Sequence, residues 1–204
     1  MAITNGDTEE KIKEAAQKIF LEKGFDGTTI RDIADAAQIN TALTNYYFRS
    51  KEKLFWLVYE GLLKQGVEGM QIILDKPINL RDKLIELVDH MFNLHADNPN
   101  IALFLMNEIK RNPEHFEKIT GVDCRLTENI FEKQIEEETK LGHIRPISAD
   151  HLLPLMLGMI QQIFASKTLH MYLFQMDESG FLEFAKEQSR LVKDMVIHYL
   201  YDCK

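Results

Sequence analysis

Residues 29–54, Thr29-Ile-Arg-Asp-Ile-Ala-Asp-Ala-Ala-Gln-Ile-Asn-Thr-Ala-Leu-Thr-Asn-Tyr-Tyr-Phe-Arg-Ser-Lys-Glu-Lys-Leu54, decide the fold. Thr29 followed three residues later by Asp32 has the form of a helix N-cap. Ile30, Ile33, Ala34 and Ala37 then recur at the spacing of one buried helical face, over about two turns. Gln38-Ile39-Asn40 interrupts, Thr41 to Phe48 forms a third helix, and Ser50-Lys51-Glu52 opens a fourth. Upstream, Asp7 with Glu10 predicts the start of a first helix whose face is Ile12, Ala15, Ala16, Ile19 and Phe20, with Gly24 ending it and Phe25 closing over the cap. Three short helices, the last two joined by a three-residue turn, have the dimensions of a helix-turn-helix.

The third helix separates this reading from an arbitrary bundle. A core helix carries an apolar stripe, but Asn40, Thr41, Thr44 and Asn45 are uncharged hydrogen-bonding residues, with Tyr46 and Tyr47 beside them and Arg49 and Lys51 just beyond. Such side chains suit the floor of a DNA groove and the phosphates that wall it. Thr41, Thr44, Asn45 and Arg31 are expected to reach base edges, and Thr29, Tyr46, Tyr47 and Lys51 to hold phosphates, with Asn40 and Ala42 on the same surface. Ile39, Leu43 and Phe48 are expected in the core.

The net charge of −8 argues against nucleic acid only until its distribution is read. Residues 1–53 hold eight basic against nine acidic side chains, and Gln38 to Lys53 holds three against one, so most of the negative charge lies in the rest of the chain.

The quoted stretch resembles the N-terminal signature of the TetR family of bacterial transcriptional regulators. The shared features are a helix starting at Thr, an Ile-Ala pair, a small-residue turn, an aromatic pair followed by Phe, and Ser-Lys-Glu-x-Leu opening the fourth helix. The match is good over residues 7–60. Gln38 stands where the family most often has glycine, and Asn45 where many members have tyrosine. The resemblance implies a homodimer carrying two helix-turn-helices to a palindromic double-stranded DNA operator, usually for repression, with release when a small molecule fills a pocket among the helices. The expected architecture is all-α: an N-terminal three-helix DNA-binding domain with a helix-turn-helix, residues 1–53, and a C-terminal helical ligand-binding and dimerisation bundle, residues 54–204.

Beyond Lys51 the chain reads as helices only. Leu54 to Leu74 forms one, in which Gly61, Gly66 and Gly69 mark either a soft connector or close helix packing. Leu80 to Asp97, Ile101 to Arg111 and a segment from Pro113 to about Lys140, interrupted near Gly121, follow. Ser148 is expected to cap a long apolar helix with a kink or late start at Pro154. Glu178-Ser179-Gly180 is expected to separate it from a last helix, Phe181 to Tyr201.

The last two helices are unusually apolar. Phe181, Ala185, Val192 and Tyr199 lie along one line, flanked by Leu182, Val196 and Leu200 on one side and by Phe184, Leu191 and Met195 on the other. That arc covers roughly half the circumference, wider than the ~100° stripe needed to pack within one's own domain. One edge is left for a partner subunit, and two such helices from each copy would form a four-helix dimer interface.

For the small molecule, His95, Phe104, Asn107, Met156, Met159, Gln162, Phe164 and His170 mix flexible apolar surface with isolated polar groups, as a pocket for a mainly apolar ligand requires. Asn107 and Gln162 stand out, since a buried amide needs a partner.

Catalysis, metals and cofactors are not expected. A di-metal carboxylate bundle requires Glu three residues before His on two helices, and none of the seven histidines has it. No glycine-rich phosphate loop, nucleophile elbow or zinc spacing is present. The alternative class is a helical-bundle small-molecule binding protein or enzyme that does not bind DNA. The longest apolar run, Leu152 to Ile160, is about half of the ~20 residues a membrane span needs, and the N-terminus lacks a signal-peptide pattern. A cytoplasmic protein is expected, with Cys124 and Cys203 as reduced thiols.

Overall fold

The computed structural model describes residues 5–120 and 130–202; Cys124, Cys203 and the predicted break at Gly121 lie outside the described residues. Among the described residues every regular element is a helix: α1 (Asn5–Lys23), α2 (Ile30–Ala37), α3 (Thr41–Phe48), α4 (Lys51–Asp75), α5 (Leu80–Asp97), α6 (Ile101–Arg111), α7 (Pro113–Thr120), α8 (Ile130–Lys140), α9 (Ala149–Ala165), α10 (Lys167–Leu173) and α11 (Glu178–Tyr201).

Two apolar cores divide the chain. The first joins Ile12, Ala16 and Phe20 of α1, Ile33 of α2 and Phe48 of α3 to Leu54, Phe55, Val58, Tyr59 and Leu62 of α4, and to Ile101 and Phe104 of α6. We call α1–α3 with the first half of α4 the head. The second core is built by the end of α4, α5, α8, α9 and α11, with Leu84, Leu87, Phe131, Met156, Ile160 and Phe164 at its centre, and we call it the body. At 25 residues, α4 is long enough, about 37 Å, to contribute to both.

The glycines of α4 pack rather than hinge where the contact is closest. A Cβ on Gly69 would lie 2.2 Å from Cε1 of His90 on α5, so the absence of a side chain there is what lets the His90 ring lie against α4, whereas Gly61 faces open space. Lys83 of α5 has no exposed surface and donates from Nζ to the carbonyl of Leu74 at 2.6 Å, satisfying one of the acceptors that the end of α4 leaves open. Burial pushes the Lys83 ammonium below its ordinary pKa.

Several boundaries differ from expectation. Asp7 sits in the first turn of α1 instead of capping it. α9 runs on through Pro154. The single helix expected up to residue 177 breaks at Ser166, and α10 leaves α9 at 60°. Glu178, Ser179 and Gly180 open α11 rather than separating helices, because Asp177 caps it, its Oδ1 accepting from the Gly180 amide at 2.8 Å. No single helix among the described residues is long and apolar enough to cross a membrane.

Candidate nucleic-acid interface

The helix-turn-helix is held together by local hydrogen bonds that its sequence dictates. Thr29 and Asp32 form a reciprocal capping box: the Thr29 hydroxyl accepts from the Asp32 amide at 3.1 Å, and Asp32 Oδ2 accepts from the Thr29 amide at 2.8 Å. Lys23 of α1 adds an ion pair to Asp32 at 2.8 Å, and these donors hold the Asp32 carboxyl well below the usual carboxylate range. Gln38 ends α2 in the left-handed region at φ 56°, where its amide returns to Ala34 and Asp35. Glycine would occupy that position without the Cβ penalty. Asn40 then caps α3, its Oδ1 accepting from the Leu43 amide at 2.7 Å.

This scaffold presents one face of α3 to solvent. Thr41, Ala42, Asn45 and Tyr46 are exposed, Tyr46 by 74%, and Arg31 stands exposed on α2 with only a 3.8 Å contact to Asp35. Tyr47 is half-buried and meets Tyr46 edge to face, ring centroids 5.6 Å apart. Uncharged donors and acceptors thus project from a short, firmly capped helix, with phenol hydroxyls and an unburied guanidinium around them, which is the chemistry of groove reading and phosphate contact.

Two expected contacts are corrected. Thr44 has no exposed surface and turns inward, its hydroxyl donating to the Asn40 carbonyl at 3.3 Å, because it lies one turn before the buried Phe48 on the same helical face. Lys51 does not extend towards a phosphate. Its Nζ donates to the carbonyls of Phe25 and Thr28, both at 2.9 Å, and lies 4.1 Å from the centre of the Phe25 ring, clamping the loop between α1 and α2 to the start of α4. Thr29 is exposed, but its hydroxyl is occupied by the cap. Of the expected core residues, Phe48 is buried while Ile39 and Leu43 are half-buried.

The residues expected around a ligand are scattered. His95, Met156 and Phe164 are buried in the body, with the His95 ring 5.5 Å from Phe164 and Met159 partly buried at the same core. His95 donates from Nδ1 to the Met91 carbonyl at 2.7 Å in the Nδ1–H tautomer, and burial lowers its pKa. His170 lies against Phe184, ring centroids 5.2 Å apart, with its Nδ1 buried and unpartnered. Phe104 belongs instead to the head core, 5.6 Å from Phe55. Asn107 and Gln162 are exposed, so neither is the buried amide that the sequence suggested; Gln162 donates to Ser166 Oγ at 2.6 Å across the break after α9. Among the described residues no cluster of three metal-binding side chains occurs.

The family model described as "Bacterial regulatory proteins, tetR family" matches residues 12–56, the span from α1 into α4 that carries this face. The biofilm operon icaADBC negative transcriptional regulator IcaR of Staphylococcus aureus (strain Newman) is 43% identical over 138 residues, covering 65% of this chain and 72% of that protein. The chain belongs to the TetR family. The probable HTH-type regulator YttP of Bacillus subtilis (strain 168) is 26% identical over 175 residues, 80% of this chain and 83% of its own. The fold extends over the body as well: the crystal structure of a HlyIIR mutant with an internal segment replaced by a linker superposes with a TM-score of 0.63, covering 98% of this chain and all of that one, at 24% identity. As a TetR-family member the protein is a DNA-binding transcriptional regulator.

Proposed function

We propose that the protein is a homodimeric, cytoplasmic repressor, without catalytic activity, that reads a palindromic operator through α3 and releases it when a small molecule enters the body. The observation that carries the reading is the outward face of α3: Thr41, Asn45 and Tyr46 project from a helix whose inner face, Thr44 and Phe48, is buried in the head. Asn45 and Thr41, with Arg31, reach base edges; Tyr46 and Tyr47 hold phosphates. The functional units are residues 1–53 and 54–204, with α4 as their shared spine.

A second copy is favoured by what the body leaves uncovered. Leu191, Met195 and Tyr199 form an exposed line on α11, Met195 by 61%, while Val196, on the other side of the helix, is buried in its own subunit. Leu155 on α9 is exposed beside Gly158, around whose Cβ position nothing lies within 4 Å, so another helix can approach closely there. The edge that faces the partner is therefore Leu191–Met195–Tyr199. IcaR is named as a negative regulator, which supports repression as the direction of control. The ligand would enter beside His95, Met156 and Phe164, with Met159 and His170 towards α10, whereas Phe104 lies in the head core and Asn107 and Gln162 face solvent.

Selection of bound duplexes from a random pool tests the reading. Two half-sites related by a two-fold axis are expected, with Asn45→Ala relaxing one base position in each at a cost of ~1–3 kcal/mol. Recovery of no enriched sequence by folded, ligand-free protein would refute it.

A further inference from the structure

We propose that the seam between the head and α6 holds a binding site for a small organic cation, a single-ring amine, anchored on the Glu108 carboxylate. Glu108 faces inwards from α6, its side chain only 8% exposed. The contacts its oxygens make are long: 3.4 Å to Arg111 Nη1 and 3.4 Å to Asn112 Nδ2. A well-made charge-assisted bond is about 2.7–2.9 Å, so this buried carboxylate is only weakly satisfied where it is costly to leave unpaired. The cation beside it is itself more than half exposed, and divides its contacts between Glu108 and Asp26, the latter at 3.5 Å.

Space adjoins the carboxylate. Cavities of about 210 Å³ and 290 Å³ share Glu108 and Arg111 as a common wall, and the smaller is lined by Phe25, Phe55 and Trp56. Tyr59, whose ring packs against Phe55, Trp56 and Phe104, buries its hydroxyl without a hydrogen-bond partner. The Glu108 charge adds to burial in raising the Tyr59 pKa, in keeping with a phenol and a carboxylate held near each other. Glu52 borders one cavity and Glu22 the other; of the cations nearby, Arg111 lies in both walls and Lys51 stands over the Phe25 ring with its Nζ committed to two carbonyls. An ammonium group would give Glu108 the short bonds that Arg111 does not, and aromatic walls stabilise both its ring and its charge. For scale, an engineered cavity of about 150 Å³ takes up benzene. The occupant would displace Arg111 from Glu108, and Arg111 also reaches the head at Asp26, which makes the site a lever on α2 and α3. That consequence, unlike the site itself, rests on the DNA-reading proposal and is read separately, as a change in duplex affinity at saturating amine.

Trp56 is the only tryptophan in the chain and reports the cavity directly by fluorescence. Benzylamine titrated at neutral pH is expected to change Trp56 emission saturably, with benzyl alcohol, the neutral counterpart, about tenfold or more weaker. Glu108→Gln should weaken benzylamine by a similar factor while leaving benzyl alcohol unaffected. Arg111→Met, at an exposed position that endangers folding little, should tighten benzylamine by removing the competing cation. Equal binding of the amine and the alcohol, or no saturable response to benzylamine in either the wild type or Arg111→Met, would overturn the site.

Discussion

The head and the body solve opposite surface problems. In the head, the apolar residues of α1, α2 and α3 are largely buried against α4, and what α3 turns outward is Thr41, Asn45 and Tyr46, side chains that hydrogen-bond. In the body, α9 and α11 fill the core, α10 packs at its edge through Met171, and the three still leave Leu155, Leu169, Tyr172, Leu173, Leu191, Met195 and Tyr199 exposed, Tyr172 by 81%. Large exposed apolar groups that gather into a patch mark an interaction surface in soluble proteins. The comparison teaches that the two ends are finished differently, the head with hydrogen-bonding groups outward and the body with apolar ones, which is what the proposed DNA and subunit contacts require.

The most damaging way to break the comparison is to charge the body's open edge. Glutamate at both Leu191 and Met195 should convert a dimer to a monomer and abolish operator binding, with helix content retained, as measured by sedimentation and circular dichroism. Glutamate at Leu182 and Val196 should instead unfold the body, since Val196 is buried. The opposite pattern would reverse the assignment of the two edges.

Next in size is Lys51. Lys51→Met removes two charge-assisted hydrogen bonds and the contact with Phe25, and should destabilise the protein by about 2–3 kcal/mol in thermal or denaturant unfolding. A phosphate contact would behave differently, lowering the salt dependence of DNA binding by about one ion with stability unchanged. Thr44→Val should leave base preference unaltered, in contrast to Asn45→Ala, because Thr44 points into the head.

These corrections mark how far the sequence could be read. Helices α2, α3 and α6 are legible almost to the residue, since capping pairs and apolar periodicity are local properties. The left-handed Gln38 is legible as a departure from glycine, and its conformation accounts for the usual preference. Thr44 was readable in principle, four residues before Phe48, but its polarity outweighed its phase. Lys51 was not, because the carbonyls it holds lie 23 and 26 residues away in the chain. The break at Ser166 carries no glycine or proline signal, and Gln162 points outward although its apolar neighbours on the helix suggest burial. The seam around Glu108 joins α6 to a loop more than 80 residues upstream, which no local pattern announces.

A smaller effect concerns pH. Burial keeps His95 neutral in the folded body and lowers its pKa, so the unfolded chain binds the proton first as pH falls. Its contribution is present above the unfolded value of about 6.5 and is lost as pH drops through the folded value. Unfolding midpoints at pH 7.5 and 5 should therefore differ less in His95→Gln than in the wild type, and an identical difference would exclude the contribution. Smallest is Gln38→Gly, which relieves the left-handed backbone and should stabilise by at most ~1 kcal/mol, part of the gain being offset by the greater freedom of glycine in the unfolded chain.

The most direct test of the account is the stoichiometry and symmetry of the DNA complex, measured by footprinting and analytical ultracentrifugation on the selected duplex. Two protein chains on two inverted half-sites, protected about one helical turn apart, is the predicted result. A single chain protecting one half-site with full affinity would contradict both the open edge of α11 as a dimer surface and the palindrome that depends on it.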